Sequence, residues 1–221
     1  MQKTPINYQP NVCQLFQALA SADFALLLDS GNPGAHQGRF DIFSAWPTKT
    51  LQIQGTKAIF NEGKQTQTLS IHDALALLEQ SPSVQAYSNA PFTSGWMGFA
   101  SYELGYQLTP TTGCGQQALL PGFWAGFYNW AVVQDHHKQE SFLYTPENFC
   151  QETQQHILQL LQQAEEPKSF SLQQGFSSNI GFDNYQQQFD KIQNYLQQGD
   201  CYQVNFAQRF SSSYQGDAFS A

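Results

Sequence analysis

The chain is short of charge, and above all of positive charge. Only 12% of its 221 residues are Asp, Glu, Lys or Arg, and nine basic side chains stand against seventeen acidic ones, for a net charge of −8. No basic cluster occurs along it, which argues against nucleic acid or an anionic membrane as partner, because both are held by patches of Lys and Arg. It has no uncharged apolar run long enough to cross a bilayer and no apolar leader after Met1-Gln2-Lys3, so a soluble, cytoplasmic protein is expected. The four cysteines, Cys13, Cys114, Cys150 and Cys201, are scattered without a Cys-x-x-Cys pair and read as free thiols. His136-His137 has only Asp135 nearby as a further ligand and reads as a surface turn, not a metal site. Gly95-x-x-Gly98 and Gly105 lack the spacing of a dinucleotide or phosphate loop and read as places where strands approach closely.

What the chain has instead is apolar and aromatic residues, 41% and 14% of the total, enough to bury a sizeable core. Its polar surface leans on Gln, Ser, Thr and Asn, with the Gln pairs lying in helical segments. Asn11 is placed to cap a helix carrying Val12, Leu15, Phe16 and Leu19. Phe24 to Leu28 reads as a buried strand, followed by a glycine-rich loop from Gly31 to Gly38. Phe40 to Ala45 and Thr50 to Gln54 read as strands, and Ala58 to Phe60 with Gln67 to Leu69 as a hairpin. Ser70 with Asp73 opens a helix through Leu78. After a polar loop, Ser81 to Pro91, comes a strand from Trp96 to Tyr102. Phe123 to Val133 and Ser141 to Tyr144 pair across the turn at Asp135 to Lys138, and Thr145 with Pro146 starts a helix reaching about Ala164. Pro167 to Gly181 is linker-like with one short strand. Hairpins with segregated helices indicate an α+β fold of largely antiparallel sheets.

The most informative stretch runs from Gly199 to Phe210. Before it, Asp183 and Gln186 are spaced for a reciprocal cap, and Tyr185, Phe189, Ile192 and Leu196 form a helical apolar stripe that Gly199 ends. After it, period-2 alternation puts Tyr202, Val204, Phe206 and Phe210 on one face of a strand and Gln203, Asn205, Ala207 and Arg209 on the other. Such a polar face is either solvated or lines a cleft. Only eleven residues follow, Ser211 to Ala221, without a closing strand or helix.

This segment resembles the helix-strand junction of the aminodeoxychorismate synthase component I family, related to anthranilate synthase component I. Cys201-Tyr202-Gln203-Val204-Asn205 is the form typical of the 4-aminobenzoate branch. The resemblance extends to Leu26-Leu27-Leu28-Asp29-Ser30-Gly31 with Arg39-Phe40-Asp41-Ile42 and Pro47, to Gly95-Trp96-Met97-Gly98-Phe99 with Tyr102-Glu103-Leu104-Gly105, and to Asn129-Trp130-Ala131 with Asp135-His136. It departs at Glu103-Leu104-Gly105-Tyr106, where the family has Asp-Leu-Gly-Arg, and at Asp29, where anthranilate synthases commonly carry Glu.

The resemblance implies a two-domain α/β sandwich, of which residues 1–165 would be the N-terminal lobe, 166–182 a linker and 183–221 the truncated start of the chorismate-binding lobe. It implies amination of chorismate to 4-amino-4-deoxychorismate with ammonia from a glutamine amidotransferase partner, component II, in folate biosynthesis. Mg²⁺ and its glutamate ligands, and the lysine nucleophile of the 4-aminobenzoate branch, would come from the family's second half, so these 221 residues alone are expected to be inactive. It also implies that Ser30, Gln37, Gly38, Arg39 and Phe40 correspond to a tryptophan pocket, regulatory in some members and structural in others. On chemistry alone Ser30 also fits an ordinary turn, and Arg39 could pair with Asp41 or Asp29. Asn205 is the candidate neighbour of chorismate, with Gln203 and Arg209 on its face. Two alternatives stay open: an anthranilate synthase fragment, and a non-enzymatic module binding tryptophan or a partner.

Overall fold

The computed structural model describes residues 1–31, 38–80, 90–108, 120–163 and 168–221. By its internal contacts the chain divides into two compact units, Met1–Glu165 and Glu166–Ala221.

The first unit runs β1 (Gln2–Ile6), α1 (Val12–Phe16), a 3-10 turn (Gln17–Leu19), β2 (Leu26–Leu28), β3 (Phe40–Ser44), β4 (Lys49–Gln54), β5 (Lys57–Glu62), β6 (Gln65–Leu69), α2 (Ile71–Glu79), β7 (Gly95–Ala100), α3 (Leu104–Leu108), β8 (Phe123–Tyr128), β9 (Ala131–Asp135), β10 (Glu140–Thr145) and α4 (Gln151–Gln162). The strands make two five-stranded sheets, in the orders β1-β10-β9-β3-β2 and β6-β5-β4-β8-β7. Each of their pairings is antiparallel. This is the expected α+β arrangement.

In the first sheet, Phe43, Val132 and Leu143 lie side by side across β3, β9 and β10 and are fully buried. Phe16 of α1 meets Phe43 edge to face, with ring centroids 5.5 Å apart. Leu19 and, from α4, Ile157 are buried completely. In the second sheet, Leu51, Ile53, Ala58 and Phe60 join Ala74 of α2 and Leu104 of α3 in one apolar cluster. Each such Leu, Ile or Phe contributes about 1.5–3 kcal/mol by leaving water. Helices α1 and α2 start where the sequence places them: Asn11 accepts from the Cys13 N–H, and Ser70 Oγ accepts from the Asp73 N–H at 3.1 Å while donating to its carboxylate at 2.7 Å.

Four boundaries in this unit differ from expectation. The apolar run Phe123 to Val133 is two strands in different sheets, because β8 finds its partner in β4 and β9 finds its partner in β3. The chain changes sheet at Asn129 and Trp130, where the Trp130 carbonyl accepts from Ser44 Oγ at 2.8 Å. Thr145 does not begin a helix, since β1 offers it a ladder partner in Gln2; α4 starts only after Cys150. The segment before Ser30 is not a buried strand but the edge strand β2, with Leu28 exposed. The β5–β6 hairpin is longer than the pattern indicates, pairing from Ala58↔Leu69 to Glu62↔Gln65, with Gly63 at φ +59° in the turn. The expected loop Ser81 to Pro91 lies almost entirely outside the described residues.

The second unit holds α5 (Phe182–Gln198) and two small antiparallel pairs, β11 (Phe170–Leu172) with β14 (Tyr214–Gly216) and β12 (Ser177–Ser178) with β13 (Phe210–Ser211). The linker-like stretch therefore carries two short strands, not one. Gly199 ends α5 at φ +79°, with the Asp200 N–H returning to the Tyr195 carbonyl at 3.0 Å, the left-handed close that glycine allows. Asp183 is not the cap. Gly181 occupies that position, and Asp183 lies in the first turn, where a carboxylate still favours the positive end of the helix dipole. None of the described residues of this unit is buried, and its apolar contacts are ring stacks such as Tyr185 on Phe206, with centroids 5.0 Å apart.

Candidate functional site

The residues singled out around Ser30 and Arg39 gather at one end of the first sheet. Leaving β2, the chain turns at Asp29, whose carboxylate accepts the Gly31 N–H at 2.7 Å, with Gly31 at φ +80°. Ser30 is then fixed twice by Asp41 of β3, which accepts its backbone N–H at 2.8 Å and its hydroxyl at 2.9 Å on the same oxygen. The Ser30 hydroxyl is thus spent as a donor, and its oxygen remains an acceptor. Gly38 is buried; Gln37 lies outside the described residues.

Arg39 pairs with neither Asp41 nor Asp29. Its guanidinium donates to Asp135 at the end of β9, Nε at 3.2 Å and Nη2 at 2.9 Å, and lies over the Phe40 ring at 4.5 Å. The cause is register: Phe40 stands opposite Asp135, so the side chain just before β3 reaches the carboxylate of the neighbouring strand. Burial raises the Asp135 carboxyl, but the Arg39 guanidinium and the Lys138 and His137 backbone N–H groups outweigh it and hold the group below its usual range. The Arg39 side chain is 43% exposed.

His136 is not a surface residue. Its side chain is only 1% exposed, with Nε2 2.6 Å from Asp41 Oδ2 and Nδ1 2.9 Å from the Tyr8 hydroxyl. His137 next to it is exposed, as a turn residue should be. Asp41 and His136 are functional candidates that motif reading passed over. The available signal was a carboxylate in a strand whose same-face neighbour Phe43 is core, since a buried carboxylate requires partners.

Asn205 sits elsewhere, in the second unit. Residues 201–209 form no strand, because among the described residues no strand pairs with them, so the two-faced reading of this segment does not apply. Gln203, Asn205 and Arg209 are exposed. The segment is tied at one end by Asn179, which exchanges bonds with the Arg209 backbone, its Oδ1 accepting at 2.9 Å and its N–H donating at 3.0 Å. Phe206 is held against Tyr185. No group of three His, Cys, Asp or Glu among the described residues could hold a metal ion, and no described helix is long and apolar enough to cross a membrane.

Comparison with known proteins bears on both regions. The family described as chorismate binding enzyme matches residues 24–221. Aminodeoxychorismate synthase component 1 of Klebsiella aerogenes is 33% identical over 215 residues, covering 93% of this chain and 46% of that protein. Its counterpart in Escherichia coli strain K12 is 32% identical over 212 residues, with the same coverage. The chain therefore spans about half the length of these curated relatives. Among solved structures, anthranilate synthase component I from Streptococcus pneumoniae TIGR4 superposes with a TM-score of 0.61 at 20% identity, over 84% of this chain and 44% of that one, a likeness of fold.

Proposed function

The chain belongs to the chorismate binding enzyme family, and on that footing we propose that it is the N-terminal part of a synthase that aminates chorismate to 4-amino-4-deoxychorismate. The observation that carries this is identity of 33% and 32% across 93% of the chain to two proteins named aminodeoxychorismate synthase component 1. Cys201 to Asn205 favours the same branch over anthranilate formation. In the reaction ammonia replaces the C4 hydroxyl of chorismate, which leaves as water. Its source would be a glutamine amidotransferase partner, its setting the cytoplasm, and its product a precursor of 4-aminobenzoate and folate.

Within this reading residues 1–165 make the N-terminal lobe and 183–221 begin the lobe that receives chorismate, with Asn205 as a neutral amide able to donate to a substrate carboxylate or hydroxyl. Mg²⁺, which would neutralise the substrate's carboxylates, finds no ligand set among the described residues, so no step is assigned to it here. The Ser30, Gln37, Gly38, Arg39 and Phe40 region would hold tryptophan. Its chemistry suits a zwitterion, since the Ser30 oxygen can accept from an ammonium, Arg39 can meet a carboxylate and the Phe40 ring can pack on an indole.

The test is product identification on the polypeptide that carries these residues in its source cell, captured with an antibody and given chorismate, ammonia and Mg²⁺. The expected product is 4-amino-4-deoxychorismate; anthranilate would move the chain to the other branch, and no turnover would remove the synthase reading. The pure 221-residue chain is expected to make neither product, and turnover by it would refute its inactivity alone.

A further inference from the structure

A line of hydrogen bonds crosses the polar end of the first sheet, joining four places distant in sequence. The Tyr8 hydroxyl meets His136 Nδ1 at 2.9 Å, His136 Nε2 meets Asp41 Oδ2 at 2.6 Å, and Asp41 Oδ1 takes the Ser30 N–H and hydroxyl at 2.8 and 2.9 Å. The imidazole and the carboxylate at its centre are 1% and 2% exposed. The segment bearing Tyr8 is itself pinned, since the Gln134 side chain accepts the Gln9 N–H at 3.2 Å and donates to the Gln9 carbonyl at 2.7 Å. Removing two ionisable groups from water is costly unless good geometry offsets it, and the proposed amination uses neither Tyr8 nor His136.

We propose that Tyr8 and His136 are positioning residues that set the hydrogen-bond polarity of Ser30, and through it the preference of the pocket for a ligand bearing an ammonium. The inference rests on the reading of Ser30, Arg39 and Phe40 as an amino-acid pocket. The logic follows from which atoms can donate. Nε2 lies 2.6 Å from Asp41 Oδ2 and Nδ1 2.9 Å from the Tyr8 hydroxyl, so the ring is tied at both nitrogens and braces the carboxylate. With Oδ2 occupied and the carboxylate held in one orientation, Oδ1 takes both Ser30 donors. The serine proton is therefore committed to Asp41, and what Ser30 offers a ligand is an acceptor. A serine free to rotate would present donor and acceptor alike and would not separate an amino acid from its analogue lacking the amino group. Of the neighbouring carboxylates, Asp135 is paired with Arg39, while Asp29 accepts the Gly31 N–H on Oδ1 and keeps its charge beside Ser30.

His136→Ala would leave a buried carboxylate without its partner and invites unfolding, so the test uses Tyr8→Phe. Titration calorimetry on the full polypeptide that carries these residues and on its Y8F variant, with L-tryptophan and with indole-3-propionate, is paired with amide exchange at Ser30 and, as a check on the fold, at Leu143. Expected is a loss of about fivefold to tenfold in tryptophan affinity, corresponding to about one hydrogen bond. Indole-3-propionate, bound more weakly by the parent, should change little, and the Ser30 amide should exchange faster in Y8F while Leu143 keeps its rate. Equal tryptophan affinity and equal Ser30 exchange in both chains would overturn the proposal. If the parent binds no tryptophan, the pocket reading fails. Positioning of Ser30 is then decided by exchange alone, faster in Y8F upholding it and unchanged overturning it.

Discussion

Replacing Gly98 by alanine should cost more than its single methyl suggests. Gly98 lies in β7 opposite Ala125 of β8, where an added Cβ would stand inside the Trp124 carbonyl oxygen, 2.5 Å from Ala125 Cα and 2.8 Å from the Trp124 carbonyl carbon. All three atoms are backbone, so no rotamer change relieves the overlap. Opening the Ala125 contact to 3.0 Å takes a shift of 0.5 Å, and the oxygen demands more. A displacement of that size carries the nearest ladder bonds out of the range of about 2.7–3.2 Å in which N–H···O bonds are sound. Loss of two or three of them, at about 1 kcal/mol each, gives about 2–3 kcal/mol. For a chain of this size that lowers the melting temperature by about 4–12 °C. Gly105→Ala is the matched control, inside α3 with nothing within 4 Å of the added Cβ; alanine there should gain up to about 1 kcal/mol from helix propensity. Calorimetric melting of both variants against the parent reads the difference. If G98A melts together with the parent, β7 is not held against β8 as described, and the reasoning fails.

Two further outcomes follow from the titrating groups. Because the folded Asp135 carboxyl is held below its usual range, it contributes stability that is present above the unfolded carboxylate value and lost as pH falls through the folded one. Asp135→Asn should therefore be less stable than the parent near neutrality, with the gap closing below about pH 4; a gap that ignores pH in urea denaturation would refute the pairing with Arg39. Among the thiols, burial and then the Asp29 and Asp41 carboxylates push Cys13 up, whereas the Thr153 backbone N–H, its hydroxyl and the Glu152 N–H lower the exposed Cys150. Since the thiolate is the reacting form, iodoacetamide should label Cys150 well before Cys13, and peptide mapping that finds the reverse order contradicts those contacts.

Signals that act over a few residues were readable in the sequence. Asn11, the Ser70-Asp73 pair and Gly199 mark helix ends because a cap needs only its own turn. Sheet allegiance was not readable. Phe123 to Val133 looks continuous, yet its halves are claimed by β4, 70 to 78 residues away, and β3, 89 to 95 residues away. The site divides in the same way. Arg39, Phe40 and Asp41 stand out as residues, but Arg39 takes a partner 96 residues distant and His136 meets partners 95 and 128 residues away. Alternation in the motif after Gly199 predicted a strand, and alternation cannot supply the neighbour a strand needs. Of the glycines read as close approaches, Gly98 is one and Gly105 is not.

The pairing of β1 with β10 has a consequence for how the first unit comes to exist during synthesis. Gln2–Ile6 is hydrogen-bonded to Ser141–Thr145, so the first strand of this sheet in chain order waits for the last. The pairings inside the β4-β5-β6 meander span Lys49 to Leu69 and can form as it emerges, before β8 is made to join β4. The β3 strand waits for β9, and β1 waits longer still. Bringing together such remote segments is what slows folding, and a nascent unit held at the meander stage shows unpaired edges to its neighbours. The polar end of the first sheet, with Tyr8 and His136 brought to each other, is therefore completed only after β9 and β10 have both been made.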